Sequence, residues 1–144
     1  MELAPSADRL MAPTIREELP VRTIVAIALA GAAGALARYG LEGLVSRRSG
    51  GAFPWGTFVV NVSGAFALGF LFTLMTEQLT TAPWLRSAVT IGFLGAYTTF
   101  STLSLETYRL IEDGSVALAA ANALGSLGAG ILAVYLGVVA GRAM

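Results

Sequence analysis

The densest collection of groups able to handle ions lies in one stretch, Gly92-Phe-Leu-Gly95-Ala-Tyr-Thr98-Thr99-Phe100-Ser101-Thr102-Leu103-Ser104. It sets two glycines and five serines and threonines inside an uncharged run. Glycine costs about 1 kcal/mol at a helix-interior position relative to Ala, and Thr and Ser divert backbone hydrogen bonds to their own side chains. The composition therefore predicts a break in a helix near Gly95 to Thr99. At bilayer depth, non-helical backbone survives only against protein or a polar cavity, and carbonyls freed there make a cation site. The alternative is an unbroken helix whose hydroxyls bond back to preceding carbonyls.

Two polar tracks share that depth. Thr57 and Asn61 stand four residues apart on one helix face, and Asn122, Ser126 and Gly130 repeat the spacing further along. Asn and Ser donate N–H and O–H groups that replace part of an anion's hydration shell without a fixed charge to trap it. Phe100, beside such donors, offers its positive ring edge to an anion. The plainer readings are hydrogen bonding between helices for Asn and Ser, and packing for Phe.

Other chemistries lack their residues. With no Cys and no His, thiolate nucleophiles, imidazole bases and the usual zinc and haem ligand sets are missing. Nine arginines balance nine acids with no lysine, and they are scattered, so no clustered basic face speaks for nucleic acid. There is no P-loop, and the uncharged stretches hold no mid-membrane carboxylate for proton coupling.

The elements that must position these groups are membrane helices. The chain is 56% hydrophobic and only 12% charged, too apolar for a soluble domain of 144 residues. Uncharged runs give four crossings, at about 23–45, 55–76, 84–109 and 115–141, each reaching the ~20 residues a span requires. The first continues past Arg38 if that side chain snorkels to the headgroups. Pro54-Trp55 and Pro83-Trp84 open the second and third with a first-turn proline and a water-boundary tryptophan. Residues 1–22 read as a retained polar tail without the apolar stretch of a signal peptide, and 14–18 as a short interfacial helix or disorder. Residues 23–142 form the transmembrane domain.

Four crossings place both termini on one side. Arg9, Arg16, Arg22, Arg86 and Arg142 lie with the termini, and Arg38, Arg47, Arg48 and Arg109 lie opposite. That near-balance gives the positive-inside rule little to act on, so insertion in both orientations is expected unless the loops near the first helix decide alone. The 17 glycines concentrate inside the spans, where small residues let helix backbones approach closely.

Three segments then carry a resemblance to the Fluc (CrcB) fluoride channels of bacteria and archaea. They are Gly31-Ala-Ala-Gly34-Ala-Leu-Ala-Arg38-Tyr39, Gly56-Thr57-Phe-Val-Val-Asn61-Val-Ser-Gly64, and the Gly92 to Thr102 run. The resemblance implies an all-α membrane protein with four transmembrane helices per subunit, the third broken at mid-membrane. It implies an antiparallel, dual-topology homodimer in the cell's inner membrane, with two fluoride pores at the interface and a structural sodium ion. On the same ground the carbonyls of Gly95 and Thr98 would hold the sodium and Asn61 would donate to fluoride. Phe100 would line the pore, flanked by Thr57, Ser126, Thr99 and Ser101. Arg38 and Glu106 would be structural or vestibule residues. Two positions depart from the family: Leu103 stands where a second pore phenylalanine is common, and Gly130 where a Ser is often found.

The expected function is passive, fluoride-selective export of cytoplasmic fluoride that accumulates as HF from acidic surroundings. The expected partners are fluoride, the bilayer and a second copy of the chain; no enzyme activity is expected. A small multidrug transporter is the first alternative, but its required central glutamate is missing, since Glu42 follows Arg38 at the far end of the first span. A non-conducting assembly subunit is the second, and it leaves Asn61 and the hydroxyl cluster unexplained.

Overall fold

The computed structural model describes residues 20–144; the tail and its expected short helix at 14–18 lie outside them. Helix α1 covers Val21–Ser49. Arg47 and Arg48 in its last turn suit the negative end of the helix dipole. Gly50 and Gly51 then take positive φ values of 58° and 80°, a backbone conformation that side chains resist, and this turns the chain back into the bilayer. Helix α2 covers Trp55–Thr73 and continues as a wider π-helical turn over Leu74–Gln78.

The third span is two helices, α3 over residues 83–97 and α4 over Phe100–Glu112. Pro83 sits at the start of α3, where its missing N–H deprives the helix of nothing. Gly114 at φ 74° turns the chain into α5, Val116–Arg142. All four crossings are long and apolar enough to span a membrane. Their outward faces are large hydrophobics, with Leu29, Leu36 and Leu124 each about 70% exposed, a surface that requires lipid rather than water as solvent. The chain is therefore a multi-pass, all-helical membrane protein, with no strand among the described residues.

Lipid does not drive apolar helices together, so close backbone contact must. Against α5, Gly69 of α2 lies on the Val134 carbonyl. In return Gly137 and Gly141 of α5 lie on the carbonyls of Phe66 and Phe70. The same device joins α1 to α3, where Gly34 meets Phe93 and Gly92 meets Ile27. At the face that carries the α1 N-terminus, Arg142 forms a two-pronged ion pair with Glu77 at 3.1 and 3.2 Å. There the Arg22 guanidinium also stacks 3.9 Å from the Trp84 ring centre.

The third span breaks at Thr98 and Thr99, inside the stretch that composition marked. Thr98 has ψ 157° and Thr99 is extended at φ −149°, ψ 113°. Loosening starts earlier than the sequence suggested, because α3 is already π-helical from Ala88 to Leu94.

Candidate functional site

Breaking a helix in a membrane frees backbone groups that need partners. The Thr99 N–H would bond the Gly95 carbonyl in a continuous helix; it donates instead to Asn61 Oδ1 at 2.8 Å. Asn61 Nδ2 donates in turn to the Thr99 carbonyl at 3.1 Å. One amide therefore grips both polar groups of one residue, and this pairing fixes which end of the amide is oxygen. The Thr99 hydroxyl caps α4 by accepting the Thr102 N–H at 3.2 Å, a standard helix-start role for threonine. Arg38 of α1 donates from Nε to the Ala96 carbonyl at 3.2 Å. The Gly95 carbonyl is left without its helical donor. The break also sets the negative end of α3 beside the positive end of α4, so cation and anion preferences adjoin.

The break opens on a groove of about 770 Å³ lined by residues of α2, α3, α4 and α5. Asn61, Gly95, Thr98, Thr99, Phe100 and Ser126 all line it. Phe100 is 81% exposed, its ring offered to whatever fills the groove. Ser126 is buried and its Oγ has no partner among the described residues. Leu103 and Gly130, the two departures from the family pattern, line the same groove. Ser101 lies beside the break rather than in the lining, its hydroxyl 3.3 Å from that of Thr99.

Other sequence-selected residues lie outside the groove lining. Thr57 is buried and donates to Glu106 Oε1 at 2.8 Å, so it joins α2 to α4 and does not line the groove. Glu106 faces a separate small pocket with Ala52, Pro54, Arg109 and Asp113, and its Oε2 is buried without a partner among the described residues. Asn122, first of the α5 track, is fully buried and donates to Thr107 Oγ1 at 3.0 Å. It acts as the interhelical bond that the plainer reading allowed. Sequence reasoning missed the Arg38 to Ala96 bond and the Ser63 to Tyr97 hydroxyl contact of 2.8 Å. Both link positions more than 30 residues apart in sequence, and only the fold brings them together.

The model of the family described as CrcB-like protein, Camphor Resistance (CrcB), matches residues 25–138. A protein of Magnetococcus marinus named fluoride-specific ion channel FluC is 51% identical over 116 residues, covering 81% of this chain and 94% of that protein. One of the same name from Solibacter usitatus is 48% identical over 116 residues, covering 81% and 95%. Another from Geotalea uraniireducens is 44% identical over 124 residues, covering 86% and 100%. The match runs through all four crossings and includes the break with the asparagine that grips it, and on that extent this chain belongs to the CrcB family.

Proposed function

We propose that this chain is a passive fluoride channel, working as an antiparallel, dual-topology homodimer with two anion routes at the interface. The carbonyls of Gly95 and Thr98 would hold a sodium ion between the copies. The observation that carries this reading is the grip of Asn61 on Thr99. By taking the Thr99 N–H it frees the carbonyl of Gly95, a residue of the groove wall, and holds two helix ends of opposite polarity side by side. Relatives of this chain named as fluoride-specific channels supply the identity of the ion.

The donor set fits sodium. Neutral carbonyls at the negative end of α3 replace a singly charged ion's water shell without carboxylates. Once bound, the ion would supply a fixed positive charge between the two copies. Toward fluoride, Asn61 retains a second amide N–H beyond the one given to Thr99, Ser126 brings an unused hydroxyl, and Phe100 presents its ring edge. Thr99 and Ser101 flank the route. These groups are uncharged, so they hold an anion loosely enough to release it. No carboxylate lines the groove among the described residues, which disfavours the proton-coupled transporter.

Liposomes loaded with fluoride and chloride test the proposal. Reconstituted protein should release fluoride down its gradient and retain chloride; equal leakage of both defeats the reading.

A further inference from the structure

A serine, threonine or tyrosine hydroxyl has one proton to give, and the groove can be read by asking where each proton goes. Five of its hydroxyls have already committed theirs. Thr90 donates to the Arg86 carbonyl at 2.9 Å, Thr98 to Leu94 at 3.0 Å and Ser104 to Phe100 at 2.9 Å. Thr107 donates to the Leu103 carbonyl at 2.8 Å and Thr99 to Thr102 Oγ1 at 3.0 Å. Two lining hydroxyls donate to none of the described residues: that of Ser126, buried without a partner, and that of Tyr108, exposed on the groove wall.

Tyr108 is 56% exposed and stands two helical turns from Phe100 on the same face of α4. These two are the groove's aromatic residues. The distance along the axis is about 12 Å, toward the membrane face where α4 ends. A phenol on an apolar wall seeks an acceptor.

We infer that Tyr108 donates its hydroxyl to the anion at the outer end of the groove and so extends the route that begins at the break. This rests on the channel reading above. An anion cannot use Ser104, which lies between the two rings, because its proton is engaged. The rival role for Tyr108 is an anchor at the water boundary. An anchor depends on the ring and its position, whereas a donor depends on the O–H.

Fluoride efflux from liposomes, with dimer recovery measured in parallel, separates these. Tyr108→Phe keeps the ring and removes the proton, and it should lower flux about tenfold, the factor of one hydrogen bond to a charged group. Ser104→Ala should conduct like the parent. Parental flux in Tyr108→Phe overturns the inference while leaving the channel reading intact, and an equal fall in Ser104→Ala overturns the proton inventory behind it. A parent protein that retains fluoride overturns the channel reading and this inference with it.

Discussion

The break in the third span should depend on Asn61, and replacing it with Leu tests how far. Asn61→Leu keeps the number and branching of side-chain heavy atoms but removes the 2.8 Å bond from the Thr99 N–H and the 3.1 Å bond to its carbonyl. Each group left unsatisfied costs about 1–3 kcal/mol in a protein interior. Measured interhelical bonds in bilayers average nearer 0.6 kcal/mol. The two bonds together therefore contribute about 1–6 kcal/mol to the broken form. The unbroken alternative offers the Thr99 N–H the Gly95 carbonyl at once. At the upper end of that range the variant should straighten, removing both the proposed cation ligand and the opposed helix ends. Fluoride efflux from liposomes should fall at least about tenfold, since 1.4 kcal/mol is a factor of ten. Hydrogen exchange at Thr99 should change with it. Asn61→Asp is the informative companion: it retains the acceptor for the Thr99 N–H and loses both amide donors, so it should keep the break and lose conduction. Parental flux in Asn61→Leu would refute the reasoning, because neither the break nor the anion donor could then depend on this side chain.

Three further outcomes follow from the packing and the groove. Gly137→Ala drives a methyl into the Phe66 carbonyl and the Phe70 backbone nitrogen, which cannot yield as a side chain would. It should destabilise the bundle by about 1–3 kcal/mol and lower the Tm of detergent-solubilised protein. Gly40→Ala, inside α1 with open space around its Cβ, should hold or raise the Tm, since Ala favours a helix interior over Gly by about 1 kcal/mol. Phe100→Ile should cut fluoride flux while the proposed dimer still assembles, checked by efflux and size-exclusion chromatography; unchanged flux would remove Phe100 from the proposed route.

The sequence displayed the four crossings and the location of the break because both rest on local composition. Long uncharged runs specify spans, and two glycines with a cluster of Thr and Ser weaken a helix wherever it packs. Which side chains would satisfy the freed backbone was less legible. Asn61 could be selected as an amide at the right depth, but its grip on Thr99 needs α2 and the break side by side. Thr57 and Asn61 share one helix face in sequence, yet Thr57 points its proton at Glu106 while Asn61 reaches the groove. Periodicity gives a face and not a neighbour. The π-helical stretch at Ala88–Leu94 left no signal that apolar patterning reads, since Ala, Val, Ile and Leu suit either winding.

That stretch constrains how the third span can vary. A π turn holds one more residue than the α turn it replaces, and each residue of an α-helix advances the face by about 100°. Losing one residue there would let the segment wind as ordinary α-helix with the residues beyond keeping their faces, whereas forcing α winding on Ala88–Leu94 at its present length would swing everything beyond by more than a quarter-turn. After such a swing Thr99 would no longer meet Asn61, and the ring of Phe100 would be aimed into lipid or a neighbouring helix. The extra residue and the wide turn that absorbs it therefore aim the break together, and a change that forces α winding at this length should be tolerated less well than a substitution that keeps the wide turn.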